Sequence, residues 1–399
     1  MNRPNEARAW RCLGRALLAT AVIATLGLAA ESVAELEPAK NAPPVEKQAA
    51  IEPLYVRPLM PVESGRNDSN PVWSPSGALI AFERSRGEKK EIVIARPDGV
   101  VVQIIYHQLS ENSAEPKFFF RGVVEDVSYN AGITWSPTGD RLVFMSNGGG
   151  GNYDLYLRNG DSKTTRLTDH REKDGQAHWS PVADQLVFVS GRTGKGDIYL
   201  LDVATRAVTR LTWGTQPYLY PQWSPDGRKI VMIHGSNENH DVYLIEDVRR
   251  PAETLKALTT WAHDDLRPVW SPDGKKIAFY SNYNPAGDPR AWAILVIAAD
   301  GSDPSQGGRL AAKVVATDVV PDVERGPAWT PDGNSIVYVR NDRQEYNPIY
   351  VADLVRKTNL PLKTDTRMNH DIASSAQGVI AFRAQVDQWD QIFLAKLKD

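Results

Sequence analysis

One phrase returns along the chain from residue 71 onward: PVWSPSG at 71–77, ITWSPTG at 133–139, AHWSPVA at 177–183, PQWSPDG at 221–227, PVWSPDG at 268–274 and PAWTPDG at 327–333. Its tryptophans, Trp73, Trp135, Trp179, Trp223, Trp270 and Trp329, are spaced by 62, 44, 44, 47 and 59 residues. Self-similarity at a fixed period marks a repeat architecture and outranks every local reading. A further step of 44 from Trp329 reaches Ala373, where ASSAQGVIAF at 373–382 aligns with WSPSGALIAF at 73–82. A degenerate seventh copy is therefore expected, against a competing count of six with a loose tail.

Each copy carries its own structural logic. Trp ends a first strand, and Ser-Pro-Asp-Gly reverses the chain, Pro presetting the φ of the second turn position while Asp and Gly suit the later ones. A β-branched and aromatic run follows, such as Lys276-Ile277-Ala278-Phe279-Tyr280, then a third strand such as Asp197-Ile198-Tyr199-Leu200-Leu201, then a fourth around Arg210-Leu211-Thr212. Four short strands at this period make a propeller blade, because one twisted sheet must bury both faces against neighbours. Eleven Trp, 29 Gly and 27 Pro fit short strands and tight turns. The expected fold is all-β, a seven-bladed propeller of four-stranded antiparallel blades over 54–399. The last copy runs out near its third strand, Ile392-Phe393-Leu394-Ala395. The segment from Leu54 to Met60 is expected to supply the missing strand, closing the ring and covering two strand edges.

The start of the chain follows different rules. Arg3, Arg8, Arg11 and Arg15 precede an apolar run from Ala16 to Ala30, with small residues at Ser32 and Ala34 before a cleavage point, the three parts of an export signal over 1–34. The run is short for a spanning helix. Cys12, the one cysteine, would leave with the signal, so no disulfide or thiol chemistry is expected in the mature protein. Residues 35–53, rich in Ala, Pro, Glu and Lys, read as a flexible linker. The whole chain carries a formal charge of −3, and losing four Arg and two Glu with the signal makes it two units more negative, which argues against nucleic acid as a partner.

The WSPDG phrase, with Ile-Tyr-Leu in the third strand and Arg-Leu-Thr in the fourth, resembles the PD40-type repeats of the TolB-like propellers. The resemblance covers residues 54–399. It implies a periplasmic protein that binds an envelope protein or polymer as a scaffold, with membrane contact only through an uncleaved signal or a partner, and a monomer. TolB itself carries an α/β domain before its propeller, and about 36 residues separate Ala34 from the first repeat here, so that domain is expected to be lacking.

The residues offer little catalytic chemistry. No Gly-x-Ser-x-Gly elbow occurs, and Ser74, Ser136, Ser180, Ser224 and Ser271 belong to turns in which each hydroxyl should cap its own backbone. The seven His show no i, i+4 pair. The alternative reading is a metal-dependent polysaccharide lyase or hydrolase with its site at the channel mouth, as in the seven-bladed oligogalacturonate lyases, with His178 and His263 as first suspects. Five residues before each Trp stand Asp68, Asn130, Asp174, Tyr218, Asp265 and Glu324, followed by Met368 in the degenerate copy. These could ring one mouth of the channel, where converging carboxylates suit a cation, a water cluster or a partner's basic group; alternatively, each acid caps a loop of its own blade. No cofactor is expected beyond such a cation. The 62-residue step contains Phe118, Phe119, Phe120 and Arg121, residue types that dominate binding hot spots and that could equally plug the channel mouth or form an extra strand, and the 59-residue step contains inserts at 282–290 and 301–308. Long loops in repeat folds tend to gather on a functional face. Residues 148–151, four glycines, read as a hairpin tip.

Overall fold

The period-2 alternation of each repeat resolves into strands that bury one side against each neighbouring blade. In the computed structural model, which describes residues 49–87, 89–106, 130–147, 152–160, 164–236, 239–283, 291–300, 312–322, 324–342 and 346–398, seven four-stranded antiparallel sheets follow one another along the chain. The expected signal at 1–34, the linker up to residue 48, the aromatic run Phe118, Phe119, Phe120 and Arg121, the glycines at 148–151, the insert at 282–290 from residue 284 onward and the insert at 301–308 lie outside the described residues.

Blade 3 shows the pattern: Asp174–Trp179 is innermost, then Gln185–Ser190, Asp197–Asp202 and Val208–Arg210 outermost. Blade 7 takes three strands from the C-terminal end, His370–Ser374, Val379–Val386 and Trp389–Lys396, and its outer strand from the N-terminal Tyr55–Pro58, with Tyr55 opposite Lys396. The ring is thus closed by the strand expected to close it. Packing begins earlier than Leu54, however. Ile51 donates its N–H to Pro361 O at 2.8 Å and accepts from Lys363 N–H at 3.0 Å, pinning the end of the linker to blade 6.

The core consists of seven clusters, each between two adjacent blades. Ile277 and Phe279 face Val231, Val242 and Leu244 of blade 4, whereas Ala278 and Tyr280 of the same strand face Ile336 and Tyr338 of blade 6. Two residues after the partner of the Trp position, the second strand carries a fully buried Phe in five blades: Phe82, Phe144, Phe188, Phe279 and Phe382. Blades 4 and 6 place Met232 and Tyr338 there.

The repeated Trp joins blades. Trp73, Trp135 and Trp270 donate Nε1–H to the carbonyls of Ala373, Val72 and Gln222, each on the inner strand of the preceding blade, at 3.2–3.3 Å. The Ser turns behave as expected. Ser74, Ser136, Ser224 and Ser271 accept the N–H five residues on, at 2.9–3.1 Å, and Thr330 does the same at 3.0 Å. The turn glycines Gly77, Gly139, Gly227, Gly274 and Gly333 sit at φ +67° to +75°, where a side chain would be strained.

The degenerate seventh copy is read one residue out of register in the sequence. Ser374 pairs with Ile380 as Trp73 pairs with Ile80, because the hairpin is one residue shorter, so Ser374 and not Ala373 holds the Trp position. Five residues before it stands Asn369, fully buried, rather than Met368.

Candidate binding site at the channel

Inner strands line the axis of a propeller, and every one here carries an irregularity. Three residues before the Trp position, Asn70, Gln176, Tyr220, Arg267 and Asp371 adopt φ of +52° to +55°, and the other two blades place Gly132 and Gly326 there at +64° and +93°. In six of the blades these residues sit in β-bulges, which turn one extra residue out of the ladder, whereas Gly326 precedes the short inner strand of blade 6. They also link neighbouring blades. Asp371 Oδ2 accepts the N–H of Asn70 at 3.2 Å, Gln176 Oε1 accepts the N–H of Tyr220 at 2.9 Å, and the Arg267 guanidinium lies 3.5 Å from the centroid of the Tyr220 ring. A Cβ on Gly326 would stand 2.5 Å from Arg267 O. Contacts between neighbouring inner strands are therefore made at this position. Two Gly and an Asn among its seven residues, types that tolerate left-handed backbone, were the available signal in the sequence.

The residues five before Trp are mostly anchored within the blades. Asp68 is 2 % exposed and accepts from Arg84 Nε and Nη2 at 2.7 and 2.9 Å, with Arg66 Nε at 3.2 Å. Asp174, fully buried, is bridged by Arg192 Nη2 at 3.2 Å. Tyr218 stacks on His234 with ring centroids 3.9 Å apart, and burial raises its phenol pKa. Asp265 is fully buried and neither carboxyl oxygen has a hydrogen-bond partner; burial, above all, with the nearby Asp241, pushes its pKa up to about 7. Asn130 pairs with Ser146 through its backbone, and its side chain lies outside what is described. Glu324 lines a cavity, with Oε2 3.9 Å from Arg267 Nη2.

That cavity, about 110 Å³, lies where blades 5, 6 and 7 meet and is lined by Tyr280, Asp322, Glu324, His370, Asp371 and Arg383 among others. Its origin is local. Blade 6 has an inner strand of only two residues, Ala328–Trp329. Before it, Pro321 and Pro327 have no N–H to offer a ladder, and Asp322 Oδ1 takes the N–H groups of Glu324 and Arg325 at 2.8 and 3.0 Å, folding the segment into a turn. The chain leaving the outer strand of blade 5 covers part of the gap, Val320 N–H bonding Val339 O at 2.9 Å. The space left over is the cavity.

Its electrostatics are mixed. Asp322 Oδ2 is buried without a partner, and burial, then the charge of Asp371, push the Asp322 pKa up to about 6. Arg325 is lowered by burial, although Asp322, Asp371, Glu83 and Glu324 all favour its charge. Arg383 binds Asp371 at 2.7 Å and Asp390 at 2.8 Å. Such a wall offers both donors and acceptors to a polar chain, with one carboxylate oxygen unclaimed.

The two histidines suspected as metal ligands have other surroundings. His178 Nδ1 accepts the N–H of Trp223 at 3.3 Å across a blade junction, and burial pushes its pKa down to about 4. His263 meets Tyr283 edge to face at 5.1 Å. Among the described residues no three His, Cys, Asp or Glu are grouped to hold a metal ion.

Residues 120–306 match the TolB beta propeller domain family, PD40. Over those residues the chain is similar to the TolB-like propellers. No curated protein matches its sequence. Among solved structures it is similar to TolB from Acinetobacter baumannii at 19% identity and TM-score 0.48, over 78% of this chain and 66% of that one. It is similar to an oligogalacturonate lyase in complex with manganese at 13% identity and TM-score 0.63, over 88% of this chain and 96% of that one. A puromycin-hydrolyzing peptidase from Mycobacterium tuberculosis aligns at 14% identity and TM-score 0.62, over 82% of this chain and 50% of its own length. Likeness at these identities is likeness of fold, and folds of this kind carry unrelated functions.

Proposed function

We propose that this TolB-like propeller is an exported, periplasmic binding scaffold that docks an envelope protein or polymer on the face where its inner strands begin. The observation that carries the reading is the unclaimed Oδ2 of Asp322 in a cavity at the channel, beside Arg325 and Asp371. A buried acceptor without a partner is costly, and a donor from a bound chain relieves that cost. Supporting it, the segment that carries Phe118, Phe119, Phe120 and Arg121 leaves and re-enters the described structure on this same face, between Tyr106 and Asn130. The insert at 282–290 joins second and third strands on this face too. The insert at 301–308, between the third strand Trp292–Ala298 and the outer strand Lys313–Val319, joins the opposite end of blade 5.

The test is affinity capture from envelope extract with residues 35–399 as bait, in parallel with Asp322→Asn and Glu324→Gln. Wild type is expected to retain a saturable protein or polymer that both variants lose while keeping the wild-type unfolding transition. Equal retention by all three would remove the cavity from the docking site.

A further inference from the structure

Between blades 2 and 3 and between blades 3 and 4, the first residue of one third strand, Asp154 or Asp197, lies near the residue five before Trp of the next blade, and Asp241, second in its strand, lies near Asp265 in the same way; the buried acids of the first two junctions are held by arginines. Between blades 2 and 3, Asp154 and Asp174 are held by Arg166 at 2.5 Å and Arg192 at 3.2 Å. Between blades 3 and 4, Asp197 is held by Arg210 at 2.9 Å. Between blades 7 and 1, Asp68 has both Arg84 and Arg66. The junction of blades 4 and 5 has two acids, Asp241 and Asp265, and neither arginine. Arg210 of the Arg-Leu-Thr stretch is replaced by Ala257 in Ala257-Leu258-Thr259, and Arg192 by Tyr283, whose N–H bonds Ser281 Oγ just as that of Arg192 bonds Ser190 Oγ.

What remains around these acids is the hydroxyls of Thr259 and Ser281 with the backbone and indole N–H groups of Trp261, none of them a full positive charge. The single proton of Thr259 is donated to Asp241 Oδ1 at 3.3 Å, and its oxygen accepts the N–H of Val242 at 2.8 Å, leaving nothing to donate to Asp265. Ser281 and Trp261 lie beside Asp265 without a bond of regular geometry, so both of its fully buried oxygens stay unpartnered. The nearest cationic candidate acting on Asp241 is His240, whose Nδ1 is 2.6 Å from Asp264. A fully buried carboxylate, Asp265, beside a half-buried one, Asp241, calls for compensating charge.

We propose that the junction of blades 4 and 5 binds one hard divalent cation of the calcium class, supplying the two positive charges that arginines supply between blades 2 and 3. The donor set, two carboxylates with the Ser281 hydroxyl beside them, is all oxygen, which suits calcium, magnesium or manganese and not the softer metals. This site is separate from the channel cavity and does not depend on the docking reading.

Calcium, magnesium and manganese are the probes. The full exported chain, purified and stripped with chelator, is titrated with each in turn while its melting temperature and bound metal are followed, beside Asp265→Asn and the double variant Ala257→Arg/Tyr283→Arg. The wild type is expected to take up about one equivalent and to melt at higher temperature with it, as any ligand of the native state requires. The two variants are expected to show neither effect, and the arginine variant to melt without metal at or above the temperature of the stripped wild type. A wild type indifferent to all three ions, or an Asp265→Asn protein that responds as wild type does, overturns the site.

Discussion

Replacing Arg84 by Met tests most sharply whether Asp68, and with it the ring of residues five before Trp, serves the fold. Asp68 and Arg84 have side chains 2 % and 4 % exposed and share two hydrogen bonds at 2.7 and 2.9 Å. Met keeps the stem over Phe82, which the guanidinium covers at 5.2 Å from the ring centroid, and removes the charge. Breaking a buried pair from one side costs roughly 3–5 kcal/mol, because a charge is left uncompensated. Arg66 Nε, 3.2 Å from Asp68, still compensates part of it, which places the expected loss near the lower end, about 3 kcal/mol. Denaturant midpoints are the readout, with Asp68→Asn and the double variant completing a cycle; the two single losses should add to more than the loss in the double variant. If Asp68→Asn leaves the midpoint unchanged, the carboxylate is not a structural element and the argument for this position fails.

Other outcomes follow from the same structure. His178 has a folded pKa near 4 against 6.5 in the unfolded chain, so its neutral form stabilises the protein above pH 6.5 and that stability drains as pH falls from 6.5 toward 4, by about 3 kcal/mol in full. His178→Asn, which cannot titrate, should flatten this part of the stability–pH curve measured by urea melts. Trp270→Phe should cost about 1 kcal/mol more than Trp329→Phe in the same melts, since Trp270 Nε1 bonds Gln222 O whereas Trp329 Nε1 is a buried donor without a partner. Deleting residues 49–60 should abolish a folded monomer in size-exclusion chromatography, because it uncovers the edge of Trp389–Lys396 opposite Tyr55–Pro58.

The blade count and ring closure were legible because Trp, turn and strand recur at a period no other fold explains. The seventh copy was legible too, but not its register, since a one-residue deletion in the Ser375 hairpin leaves the Gly-to-Phe match intact and shifts only the strand before it. The channel site was harder. Counting back from Trp finds a position without revealing where it points, and a left-handed backbone at Asn70, Gln176, Tyr220, Arg267 and Asp371 places the contacts between inner strands two residues closer to Trp. Asp322 was missed altogether. It lies outside the repeat alignment, in a turn that exists because Pro321 and Pro327 interrupt an inner strand, and only the folded neighbours His370, Asp371 and Arg383 make it part of a cavity.

The docking claim is tested most directly by hydrogen–deuterium exchange of the propeller with and without the captured envelope fraction. Protection concentrated in peptides spanning 320–327 and 366–372, and absent in Asp322→Asn, is the predicted result. Protection confined to the Ser-Pro-Asp-Gly turns at the opposite ends of the inner strands, or none anywhere on the ring, would contradict it.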